Sequence, residues 1–237
     1  MFMILYASSE SRKDLPEQIM SGITLPNYRL SEEIAHSVTH GIGIVLAIAA
    51  LAIMTAFAAV FGTALHIVGC SIFGATMVIL YTSSTLYHGI QNEKAKKVLR
   101  VFDHSAIFLL IAGTYTPFTL VSLKGAWGWT FFGIIWGLAV FGVLLQTLTK
   151  LRFEILSLIL YIVMGWMGVV AFKPMITLLP TAGLIFLIAG GLLYTSGIIF
   201  YVWDRLPFNH AIWHVFVLGG SVSHFFAVMF SVIPILS

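Results

Sequence analysis

His210 and His214 stand four residues apart at the head of an apolar run, N-H-A-I-W-H-V-F-V-L-G-G-S-V-S-H from Asn209 to His224, that continues to Leu236. On an α-helix, residues four apart lie one above the other on the same face. An imidazole inside a membrane is costly unless paired, so two on one face ask for a shared partner. A divalent metal would serve both rings, because imidazole nitrogen is a good ligand for zinc and its neighbours. Two histidines do not complete such a site. Further ligands must come from other helices at the same depth.

The composition says what those helices are. Of 237 residues, 59% are hydrophobic and 9% charged, and the mean hydropathy is +1.02. Soluble domains carry roughly a quarter charged residues, which excludes a water-soluble protein. Several long apolar runs without a barrel's alternation indicate an all-α integral membrane protein. The single cysteine, Cys70, excludes an intrachain disulfide. Met1 to Ala7 is apolar but too short for a cleavable signal peptide, and no basic residue precedes it. With a net charge of only +3, no nucleic-acid partner is expected.

Residues 1–30 read as a polar cytosolic arm, and 31–237 as a seven-helix transmembrane domain. Ser31 is the expected N-cap, with Glu32 and Glu33 in the first turn complementing the helix dipole. The first span runs from about Ile34 to Phe61 and the second from about Thr63 to His88. A basic loop, Q-N-E-K-A-K-K-V-L-R, leads to span three, about Val101 to Leu123, with Pro117 expected to kink its far end. Spans four, five and six cover about Trp127–Leu148, Ile155–Phe172 and Thr181–Trp203, the fifth closed by Lys173-Pro174. The seventh opens at Asn209. With the N-terminus inside, ten of the twelve basic residues are cytosolic, and only Lys124 and Lys173 face outward. That bias predicts a cytosolic N-terminus and an external C-terminus, in the plasma or inner membrane.

This topology brings distant residues to one level. His88 ends span two on the cytosolic side, Asp103 and His104 open span three there, and His210 and His214 open span seven. At 1.5 Å of rise per residue, His214 lies roughly 6 Å deeper than His210, still near the inner interface. His88, His210 and His214 would supply three nitrogens and leave a fourth tetrahedral position open, as in catalytic zinc sites. The glutamate base of H-E-x-x-H hydrolases is missing, since Ala211, Ile212 and Trp213 intervene. Asp103 is the nearest carboxylate and could hold or deprotonate a water, or else neutralise Arg100 or a loop lysine. Ser84, one turn before His88, could hydrogen-bond behind the ligands.

Ser84-x-x-x-His88, Asp103 and His210-x-x-x-His214 resemble the pattern of the progestin and adiponectin receptor family. E-E-I-A-H-S-V-T-H-G-I-G at Glu32–Gly43 and F-D-H-S-A-I-F-L-L-I-A-G-T-Y-T-P-F at Phe102–Phe118 are similar to its bacterial branch, the haemolysin III proteins. The resemblance implies seven helices, a cytosolic N-terminus and an intramembrane zinc on His88, His210 and His214, with Asp103 holding a water. It also implies ceramide hydrolysis by receptor members, and a link to membrane fluidity or energetics in the bacterial branch. His104 stands where receptors have tyrosine, and the receptors' long N-terminal domain has no counterpart, so hormone binding is not implied.

The other histidines read more plainly. His36 and His40 repeat the four-residue spacing in span one; helix-end histidines bonded to neighbours are favoured over a second metal site or cavity lining. His104 faces either the ligands or the headgroups. His224 lies roughly 15 Å beyond His214 and should hydrogen-bond between helices at mid-membrane. His66 is incidental. Gly133-I-I-W-Gly137 is a weak helix-crossing motif, whereas Gly219-Gly220-Ser221 should admit a neighbouring helix.

Three function classes follow. A zinc-dependent hydrolase acting on a membrane lipid, an amide such as ceramide, leads. A non-catalytic sensor or regulator of membrane state, with zinc as a structural clamp, is the alternative. A transporter lacks an internal repeat and a midplane acidic relay, and no amphipathic segment supports direct pore formation.

Overall fold

A computed structural model describes residues 22–234. Their helices are α1 (Leu30–Phe61), α2 (Ala64–Gly89), α3 (Glu93–Pro117), α4 (Gly125–Thr149), α5 (Glu154–Trp166), α6 (Phe172–Leu178), α7 (Thr181–Tyr201) and α8 (Asn209–Ser231). Six are long and apolar enough to cross a membrane. The α5 helix and its short 3-10 extension, Met167–Val169, bend by 51° into α6, and the pair makes a seventh crossing if taken as one span. The molecule is a helical membrane bundle.

Neighbours in sequence pack as neighbours in space, α1 on α2, α2 on α3, α3 on α4 and α7 on α8, and α1 also meets α8, so the first and last described helices pack side by side. The central helix is α3, with 72% of its most apolar window buried against 17% for α1 and α7. The latter two turn Val45, Ile48, Ile185 and Ile199 outward, an apolar surface suited to lipid. Between α7 and α8 the approach is close because Gly183, Gly190 and Gly197 recur every seven residues along one stripe. A Cβ at Gly190 would stand 2.3 Å from the His224 ring and 3.1 Å from the Gly220 carbonyl. Gly220 in turn lies under the Tyr194 ring, as the Gly-Gly-Ser motif leads one to expect. A Cβ at Gly133 or Gly137 would meet open space, so that motif makes no crossing.

The elements depart from the sequence reading in four places. Helix α1 begins two residues early, with Arg29 rather than Ser31 at the N-cap, and Glu32 Oε2 accepts from the Arg29 backbone N–H at 2.9 Å. The basic loop is two turns of α3, capped by Asn92, whose Oδ1 accepts from Ala95 N at 3.0 Å. It is helical because Lys96, Arg100 and Asp103 share one buried face at helical spacing, while Glu93 and Lys97 pair at 2.7 Å on the exposed face. Pro117 leads into a π-helical turn, Phe118–Ser122. Lys173-Pro174 does not close span five. The break comes earlier, at Met167–Ala171, and Pro174 falls in the first turn of α6, where its missing N–H costs nothing. The polar arm lies outside the described residues up to 21. Its last stretch packs on the bundle, with Ile23 buried and the Arg100 guanidinium donating to the Thr24 carbonyl.

Candidate metal centre

His88 ends α2, and His210 and His214 occupy the first two turns of α8. Each offers a ring nitrogen, and the three nitrogens lie within 4.8 Å of one another, all on buried residues. The His210 and His214 ring centroids are 4.5 Å apart, and those of His88 lie 5.2 and 5.3 Å from them. Buried imidazole nitrogens without partners are costly, yet His88 Nε2 and His210 Nε2 make no hydrogen bond. A cation at their meeting point would satisfy both. The donor set therefore fits a metal ion.

Helix α1 adds residues that the sequence reading undervalued. His36 and His40 are not helix-end histidines bonded to local neighbours, because both rings are buried inside the cluster. The His36 ring lies 4.6, 4.9 and 5.5 Å from those of His88, His210 and His214. His40 stacks on His214. Glu33, read as a dipole-complementing residue, is 5% exposed, and its carboxylate accepts from His88 Nδ1 at 2.7 Å and from Lys96 Nζ at 2.6 Å. The available signal was the E-x-x-H-x-x-x-H spacing, which puts Glu33, His36 and His40 on one helical stripe.

Asp103 and Ser84 are buried but stand outside the converging nitrogens. They line, with His40, His210 and His214, part of a cavity of about 390 Å³. Its remaining wall is mostly apolar, supplied by residues such as Leu110, Ile111, Phe118, Leu187 and Val217 of α3, its π-helical turn, α7 and α8. Arg100, the rival partner for Asp103, instead donates to Glu154 Oε1 at 2.7 Å. His104 Nδ1 lies 3.0 Å from the Arg100 carbonyl, one turn back on its own helix.

The family follows from the match itself. A haemolysin-III related family model aligns with residues 28–225, from just before α1 to the last turns of α8, and so covers every residue of the cluster. The chain belongs to the haemolysin III-related family. It is 50% identical over 203 residues to the Hemolysin-3 homolog of Bacillus subtilis (strain 168), spanning 86% of this chain and 95% of the relative. Hemolysin-3 of Bacillus cereus is equally similar, 50% over 205 residues, with 86% and 94% covered. More distant is the human monocyte to macrophage differentiation factor, of the progestin and adiponectin receptor type, 28% identical over 163 residues and matching 66% of this chain and 67% of its own. A haemolysin III-related chain with these helices is a multi-pass protein of the cell membrane.

The outlying histidines keep modest roles. His224 bridges α8 to α7, its Nε2 lying 3.2 Å from the Leu187 carbonyl, as expected of a mid-membrane imidazole. His66 Nδ1 accepts from the Thr63 backbone N–H at 3.0 Å and caps the start of α2.

Proposed function

We propose that this haemolysin III-related protein binds zinc within the membrane and hydrolyses a lipid, with an amide of the ceramide type as the substrate class. The observation that carries this reading is that two of the three converging imidazoles, His210 and His214, line with Asp103 and Ser84 a cavity whose wall is mostly apolar. Such a shape suits a lipid whose reactive bond sits by the histidines while its chains lie among Leu110, Ile111 and Leu187. The positive-inside bias supports placing these histidines beneath the inner-leaflet headgroups.

His88, His210 and His214 would hold the ion, and a set of three imidazoles would suit the open coordination of catalytic rather than structural zinc. An ion held there supplies Lewis acidity, which acidifies a water and polarises a carbonyl. Asp103, 7% exposed on the cavity wall, would hold a water by a hydrogen bond, take its proton as the water adds to the amide carbonyl and return that proton to the amine as the C–N bond breaks. Ser84, whose buried Oγ makes no other hydrogen bond, can donate to the same carboxylate or to the substrate. The apolar wall limits bulk water and strengthens these polar contacts.

A second reading draws support from the helices involved. Ring nitrogens from α2 and α8, with α1 packed between, would let one ion clamp the start of the bundle to its end. The protein would then be a non-catalytic sensor or regulator of membrane state. Purified protein should carry zinc by elemental analysis and release fatty acid from a panel of lipid amides. Asp103→Asn should abolish release and keep the zinc. No release across the panel with zinc bound leaves the clamp; absence of zinc from the native protein removes both readings.

A further inference from the structure

We infer that two groups on α1, the Glu33 carboxylate and the His36 carbonyl, are positioning groups that determine which nitrogen of His88 and of His214 is offered to the ion. This rests on the metal-binding reading above and adds residues to it. His88 Nδ1 lies 2.7 Å from Glu33 Oε2, while its Nε2 is buried and has no hydrogen-bond partner. His214 Nδ1 lies 3.3 Å from the His36 carbonyl oxygen. A neutral imidazole carries one N–H, and the acceptor it meets decides which nitrogen bears it. Carboxylate and carbonyl oxygens only accept here. Both rings therefore donate from Nδ1 to α1 and present Nε2 as a lone pair.

The carboxylate does more than orient. An imidazole that donates to a carboxylate is a more basic ligand, with its ring held at one angle. Glu33 is itself held, because its Oε1 lies 2.6 Å from the buried Lys96 ammonium of α3. The line Lys96–Glu33–His88 thus joins α3, α1 and α2 behind one ligand.

Glu33, His36 and His88 also bring one donor atom each within 4.8 Å of one another, which could suggest a second ion between them. Lys96 opposes that. Its charge already neutralises Glu33, and a divalent ion there would face the ammonium and require His88 to lose its Nδ1 proton. The His36 ring, 3.3 Å from His88 Nδ1, lies farther from it than Glu33 does. The part of His36 that counts is its backbone.

The test is zinc binding to the full chain in detergent, metal-stripped and titrated against a chromogenic chelator. Wild type should bind one ion. Glu33→Gln should bind one ion about 10–100-fold more weakly, Glu33→Asp should recover part of the loss, and His36→Ala, which keeps the carbonyl but loses a ring packed on the ligands, should still bind one ion with a smaller loss than Glu33→Gln. Cobalt in the Glu33→Gln site should keep a tetrahedral spectrum with a shifted band. Nitrogen-15 NMR of histidine-labelled wild type needs no variant, and should show zinc on Nε2 with Nδ1 protonated in His88 and His214. Equal affinity and superimposable cobalt spectra for wild type and Glu33→Gln, or zinc on Nδ1, overturn the inference and leave metal binding standing. Two ions in wild type, falling to one in both Glu33→Gln and His36→Ala, overturn it in favour of a second ion. No ion in wild type removes the metal reading and this inference with it.

Discussion

The His40 ring lies flat on the His214 ring, centroids 3.5 Å apart and planes at 11°. His40 also meets Tyr81 edge-on at 5.0 Å. His214 is thus steadied by contact on one face as well as by the hydrogen bond from its edge. Replacing His40 by alanine should remove these contacts and cost about 2–4 kcal/mol. Zinc affinity should fall, though less than in His214→Ala, and His40→Phe should restore most of the stability. Thermal unfolding in detergent beside chelator competition checks all three.

Tyr28 packs among the rings, 4.8 Å from His36 and 5.5 Å from His210. Burial raises its phenol pKa well above the ordinary value, so it stays neutral and packs against the rings rather than serving as an anionic ligand. Tyr28→Ala should speed the loss of zinc to excess chelator several-fold, and Tyr28→Phe should not. Stopped-flow measurement of zinc release is the check. An unchanged rate in Tyr28→Ala would mean that ions leave by another route.

Gly190 and Gly137 should respond oppositely to the same change. A Cβ at Gly190 has no room between the His224 ring and the Gly220 backbone, so Gly190→Ala should destabilise the bundle by about 1–3 kcal/mol. At Gly137 the space is open, and alanine there should be neutral or slightly stabilising through helix propensity. Unfolding midpoints of the two variants, measured side by side, decide this.

Orientation can be read with a membrane-impermeant maleimide on intact cells. The native thiol, Cys70, is fully buried and should stay silent. A cysteine replacing Lys124 should be labelled, and one replacing Lys94 should react only after the membrane is opened. The reverse pattern would put the histidine cluster beneath the outer leaflet.

How much was legible in the chain depends on what kind of signal carried it. Apolar run length identified the helices, because a bilayer demands about 20 apolar residues whatever they pack against. The i, i+4 pair His210/His214 and the level of His88 followed from helix rise alone. The broken fifth span was less legible, since Pro174 looks like a terminator yet sits harmlessly in the first turn of α6. The two turns of α3 before Val101 were hidden by their lysines, whose hydrophilicity masks a helix with one buried face.

Run length and helical spacing, both local, determined by themselves the membrane class, most of the spans and the three histidines that the fold brings together. Which side of each helix faces inward is not local: it depends on how α1 rotates against α2 and α8, and the same E-x-x-H-x-x-x-H stripe could have faced lipid headgroups. Only the tertiary packing turned Glu33, His36 and His40 into the cluster, set Lys96 against Glu33 and gave Arg100 to Glu154 rather than to Asp103. Buried polar groups must find partners, and those partners lie on helices distant in sequence.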